Sequence, residues 1–195
     1  MKKFIERDLI NYLYFDLNRM LFLIQDEIFE YDIQKIIHDF LKLKYNDKNT
    51  TIKREKYKID NVIEYYNENK VIEKSIYIEV KSFIKKHEKI NLDNIKKDIN
   101  KLYSYTNEKS ECYFLLVVKQ SHLMNATLKI KKVIDVLNSN RKKFIFKNDI
   151  NIINTRIIRS FRTIYTEKDQ SIDELKNKMH KSQIRVFLFQ ILTKR

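Results

Sequence analysis

The chain has no glycine, no proline and no tryptophan among its 195 residues, and a single cysteine, Cys112. Average usage at this length would supply about 14 glycines and about 10 prolines. Alanine is down to one, Ala126, while lysine, isoleucine and asparagine abound. Loss of GC-rich codons from an AT-rich gene accounts for this bias. The absences still exclude functions. Phosphate-cradling loops and dinucleotide fingerprints need glycine for tight turns and close backbone approach. Zinc ribbons and disulfide frameworks need several cysteines, so a reducing compartment such as the cytoplasm is expected. No apolar run has the length of a membrane span, so no membrane partner is expected. The opening MKKFIERDLIN is broken by Glu6, Arg7 and Asp8, unlike a signal peptide.

What is present is positive charge: 40 Lys and Arg against 26 Asp and Glu, a net +14. Such a surface attracts polyanions through counterion release, and nucleic acid is the expected partner. Hydrophobic residues make up 43% of the chain, enough for a core.

The periodicity predicts one mixed α/β domain over 1–195. Its core covers 25–119, preceded by an N-terminal helix (3–24) and followed by a C-terminal accessory region (120–195). Ile28, Ile33, Ile36, Ile37, Phe40 and Leu41 recur at helical spacing, up to a break at Asn46-Asp47-Lys48-Asn49. The stretch 50–66 and the stretch 71–83 are β-rich and flank a polar loop at 67–70, which predicts an antiparallel hairpin with an extra strand. Asn91 caps a helix with Leu92, Ile95, Ile99, Leu102 and Tyr103 on one face. The run CYFLLVV, Cys112–Val118, suits a buried central strand. A basic helix is expected over 121–137, and short strands at 144–146 and 150–153. A capping box at Ser171–Glu174 predicts a final helix towards Thr193 that carries Val186, Phe187, Phe189, Gln190 and Leu192. The sheet is expected to have about four strands, with helices flanking it and accessory helices at the C-terminus.

Glu79-Val80-Lys81 lies at the end of an apolar strand, where a carboxylate and an ammonium cost desolvation energy unless they are used or paired. With Tyr66 facing Val71 across the loop, Asp60 lies opposite Tyr77. Asp60, Tyr77, Glu79 and Lys81 then share one face, with Asp60 and Glu79 diagonal at about 7–8 Å. Two such carboxylates, with the Val80 carbonyl, suit a hard cation, Mg²⁺ or Mn²⁺. That cation would polarise a phosphodiester and activate water, while Lys81 would hold the water or neutralise charge on phosphorus. Glu30, in FEYDIQ, is the candidate further carboxylate on the first helix, with Glu27 second.

Asp60 in YKIDNVIEYY, with Glu79 and Lys81 in YIEVKSF, resembles the PD-(D/E)XK nuclease superfamily. Its order of helix, three strands, helix and strand resembles residues 25–119. The resemblance implies a restriction-endonuclease-like core and Mg²⁺ on Asp60 and Glu79. It further implies that Lys81 assists phosphodiester hydrolysis, and that Glu30 is the helix carboxylate many members carry. The proline of the family's name is Ile59 here. The Gln-x-x-x-Tyr of RecB-like branches reads Lys101-Leu-Tyr-Ser-Tyr105, matching at Tyr105 alone.

The expected function is a metal-dependent endonuclease acting on DNA, and a homodimer would be needed to cut both strands. Lys129, Lys131 and Lys132 are the candidate phosphate contacts, with Arg156, Arg159 and Arg162, whose spacing of three would gather them on one helix face. Two alternatives stand beside it. One is a nucleic-acid-binding protein with a decayed nuclease site. The other is a helical interaction protein, which would have no strands at 56–66 or 72–83. Gln34 is a lesser candidate for the cleft. His38 and Cys112 read as structural residues, and His87 as a loop residue.

Overall fold

A computed structural model describes residues 8–9, 11–13, 16–17, 29–84, 89–119, 121–122, 125, 151–159 and 184–192. The elements are α1 (Glu30–Tyr45), β1 (Thr50–Lys56), β2 (Ile59–Tyr66), β3 (Ile72–Phe83), α2 (Leu92–Tyr103), β4 (Ser110–Lys119), β5 (Asn151–Arg159) and β6 (Ile184–Leu192). Residues 8–9, 11–13 and 16–17 are helical.

Helix α1 begins where Asp32 reaches back to accept the Phe29 N–H at 2.9 Å, and Glu30 and Asp32 place negative charge in its first turn. It buries Ile33, Ile36, Ile37, Phe40 and Leu41, the stripe read from the sequence. Helix α2 is capped by Asn91, whose side chain accepts the N–H groups of Asp93 and Asn94.

The six strands form one mixed sheet in the order β1-β2-β3-β4-β6-β5. Only the β3–β4 pair is parallel, with α2 as its crossover; the other pairs are antiparallel. Strand β4 lies mid-sheet and buries Cys112 to Val118 without interruption. One face of the sheet packs against α1 and Leu9, Leu13 and Leu17. The other packs against Ile95, Ile99 and Leu102 of α2. Cys112 belongs to that second layer, and burial pushes its thiol up to about 12, out of range for a nucleophile at neutral pH.

Several expectations are corrected. The sheet has six strands rather than about four. The stretch 50–66 is itself a hairpin, folding back between Lys56 and Ile59. Tyr57 and Lys58 fill this two-residue turn with φ of 58° and 61°, a left-handed pair usually supplied by Asn-Gly. With glycine absent from the chain, no residue there announces a turn. The final helix is instead strand β6, in which Val186, Phe187, Leu188, Phe189 and Ile191 are all buried. Among the described residues, the end of the chain is therefore a strand and not an accessory helix. An apolar segment buried on both faces fits either period, which is why helix and strand were confused there. Ser171–Glu174, the strand at 144–146 and most of the basic helix at 121–137 lie outside the described residues. The strands at 50–56, 59–66 and 72–83 exclude the all-helical reading. No helix among the described residues is long and apolar enough to cross a membrane.

Candidate active site on the α2 face of the sheet

The β2–β3 register differs from expectation by two residues: Val62 pairs with Tyr77 and Asn61 with Ile78. One residue of the difference lies in the loop, where Tyr66 pairs with Ile72 and not Val71, and an irregularity between Tyr65 and Tyr66 supplies the other. A shift of two preserves side-chain parity. Asp60, Glu79 and Lys81 therefore keep to the face that α2 covers, and Asp60 comes level with Glu79 instead of diagonal to it.

The last β2–β3 pair is Asn61–Ile78, yet β3 runs on to Phe83. Carboxylates take the backbone donors that β2 leaves unpaired. Asp60 Oδ2 accepts the Val80 N–H at 2.7 Å, and Glu30 Oε2 accepts the Ser82 N–H at 2.9 Å. The first turn of α1 is thereby pinned to the open end of the hairpin. Glu30 also accepts from Lys81 Nζ at 3.2 Å. Three segments far apart in sequence, carrying Glu30, Asp60 and the Glu79–Lys81 pair, thus meet at one place.

Two further residues complete the cluster: Asp98, not singled out in the sequence, and Lys101, noted there only as a departure from the Gln-x-x-x-Tyr pattern. Lys101 of α2 forms a short ion pair with Glu79 Oε1 and donates to the Lys58 carbonyl at 2.8 Å. Asp98, one turn earlier, lies 4.0 Å from Lys101 Nζ. The spacing of three puts Asp98 and Lys101 on one flank of the Ile95–Ile99–Leu102 stripe. Their role became legible only once α2 was seen to lie over Glu79.

Burial sets the electrostatics. Glu79 is 4% exposed, and its Oε2 receives no hydrogen bond from the described residues. Burial and then the neighbouring Asp60 charge push its carboxyl up to about 8, against the opposing pull of Lys101. Burial likewise lifts Asp60 to about 6, opposed by the Val80 N–H and the Lys101 charge. Asp98 is raised, first by burial. Burial pulls Lys81 down, but the Glu30 charge and hydrogen bond outweigh it and the net shift is upward.

Among the described residues, no group of three or more His, Cys, Asp or Glu side chains is arranged to hold a metal ion. The chemistry nevertheless fits a hard cation: two carboxylates, with the Asp60 charge raising the proton affinity of Glu79, whose buried Oε2 has no hydrogen-bond partner among the described residues. The group observed from Val80 is its N–H.

The other candidates fare differently. Arg156 and Arg159 lie in strand β5, so the helix meant to gather them on one face is not there. Arg162, Lys129, Lys131, Lys132, Glu27 and His87 lie outside the described residues. The Gln34 main-chain carbonyl accepts from Asn61 Nδ2 at 3.3 Å, one helical turn beyond Glu30. His38 sits on α1 with its pKa lowered by burial and by Lys42 and Arg54, a structural position. No family model and no curated protein matches the chain.

Proposed function

We infer that the protein is a divalent-cation-dependent nuclease that hydrolyses phosphodiester bonds in DNA, on a restriction-endonuclease-like core. The element order α1, three strands, α2 and β4 supports that core. The observation that carries the reading is the buried Glu79 with its unbonded Oε2, level with Asp60 and two residues from Lys81 on the same face.

Asp60 and Glu79 would hold Mg²⁺ or Mn²⁺. The cation supplies charge neutralisation at a phosphodiester and acidifies water for attack. Glu30 holds the Lys81 ammonium in place and keeps it protonated. Lys81 therefore serves as a fixed positive charge and hydrogen-bond donor to phosphate oxygens, not as a base. The Val80 N–H fixes one oxygen of Asp60. The net charge of +14 favours a polyanionic substrate. One such site cuts one strand, so double-strand cleavage calls for two copies of the chain.

The test is nicking of supercoiled plasmid with and without Mg²⁺. Wild type is expected to nick only with Mg²⁺, and Lys81→Ala and Asp60→Ala to be at least about a hundredfold slower. Equal nicking by all three proteins would end the catalytic reading.

A second reading, nucleic-acid binding without cleavage, is favoured by one observation: the Lys101 ammonium already occupies Glu79 Oε1. It predicts salt-sensitive DNA retention with no Mg²⁺-dependent cutting.

A further inference from the structure

We propose that the Lys101 ammonium is the resident counter-cation of this site, seated where a divalent cation binds and displaced when one does. The proposal rests on the cation reading above and goes beyond it by naming the residue that sets cation affinity.

The argument starts from what the ammonium touches. Lys101 Nζ meets Glu79 Oε1 and the Lys58 main-chain carbonyl, with Asp98 Oδ1 at 4.0 Å. Its charge is also felt at Asp60. Carboxylate oxygens with a backbone carbonyl are the donor set a hard divalent ion selects. An ammonium fills such a cradle incompletely, because it brings one charge to several carboxylates and its three N–H groups limit how many oxygens it can satisfy. That shortfall is visible at Glu79 Oε2, which is buried and receives no hydrogen bond from the described residues.

The ammonium also has somewhere to go. Asp98 stands one helical turn back on α2; among the described residues its ion-pair partner is Lys101, and it also feels the Lys81 charge. The Lys58 carbonyl lies at the edge of the site, in the left-handed turn between β1 and β2. A swing from Glu79 towards Asp98 keeps the Lys101 charge paired while it frees both Glu79 oxygens. Lys101 is thus a positioning residue. It holds Glu79 in the buried rotamer before a cation arrives, and it competes with weakly bound ions for the same oxygens.

The test is calorimetric titration of Mn²⁺ into chelator-stripped full-length protein, with thermal unfolding as a control on the fold. Lys101→Met and Lys101→Gln should bind Mn²⁺ about tenfold more tightly than wild type, because the charge-assisted contact no longer has to be broken. Lys101→Gln keeps a donor for the Lys58 carbonyl, so it guards against loss of the fold. Lys101→Arg, which retains the charge, should stay near wild-type affinity. Adding Asp60→Ala to Lys101→Gln should cancel the gain and so locate the ion. If Lys101 only braces the turn, Met and Gln would lower the melting temperature and leave the affinity unchanged or weaker. That result overturns the proposal while a wild-type Mn²⁺ site and Mg²⁺-dependent nicking still stand. Absence of Mn²⁺ binding in every protein, wild type included, overturns the proposal together with the catalytic reading beneath it.

Discussion

Two glutamates are buried on the same sheet face, and their surroundings are opposite. Glu64 of β2 is 1% exposed and Glu79 of β3 is 4% exposed. Glu64 receives Lys56 Nζ on both oxygens at 2.5 Å, Tyr66 Oη at 2.8 Å and Thr51 Oγ1 at 3.3 Å. Burial pushes its carboxyl up, but those hydrogen bonds and the Lys56 charge outweigh it and hold the group below the ordinary carboxylate range. Among the described residues, Glu79 has one ammonium on one oxygen, no hydrogen bond on the other, and a second carboxylate beside it. Burial alone therefore does not mark a site. A buried charge whose lone pairs are all used holds the structure together; one left unsatisfied is poised for a ligand.

The largest expected effect is on the satisfied side of this comparison. Glu64→Ala should destabilise the fold by about 2–3 kcal/mol in urea unfolding, because it strands the half-buried Lys56 and two hydroxyl donors. A loss below about 0.5 kcal/mol would erase the contrast between the two glutamates.

The next effect is one of pH, on the unsatisfied side. Glu79 is raised from 4.5 to about 8, so at intermediate pH the folded chain keeps a proton that the unfolded chain releases. The fold is then favoured at the lower pH, and that advantage is lost as pH rises through about 8. In chelator, stability should fall by about 2 kcal/mol between pH 6 and pH 8.5. Glu79→Gln should flatten the curve. A wild-type curve that rises over this range would contradict the assignment.

A smaller pair of effects concerns the turn that carries the Lys58 carbonyl. Tyr105 Oη donates to the Tyr57 carbonyl at 3.1 Å, so Tyr105→Phe should cost about 1 kcal/mol. Lys58→Gly should gain about 0.5 kcal/mol by relieving the positive φ, net of the added freedom of the unfolded chain. A loss from Lys58→Gly would mean that the left-handed turn is not under strain.

The parts of this arrangement visible in the sequence are those that depend on alternation or on capping. Glu79 and Lys81 are two apart on one strand and must share a face whatever the fold does around them. Asn91 and the α1 stripe were readable for the same local reason. Asp60 was placed on the right face through a register wrong by two residues, because an even error leaves parity intact. The rest required knowledge of what packs on what. Asp98 looks like an ordinary solvated charge, and Lys101 only like a mismatch to Gln-x-x-x-Tyr, until α2 is laid over β3. The Tyr57-Lys58 turn carries none of the residues that normally announce a turn. Strand β6 could not be told from a helix by its apolar pattern, since both of its faces are buried.

The most direct measurement is a crystal structure of the protein soaked in Mn²⁺, read by anomalous scattering. The account predicts a peak within about 2–2.5 Å of carboxylate oxygens from both Asp60 and Glu79, with Lys101 turned away from Glu79. A saturated crystal with no peak there, and with Lys101 still on Glu79, would contradict it.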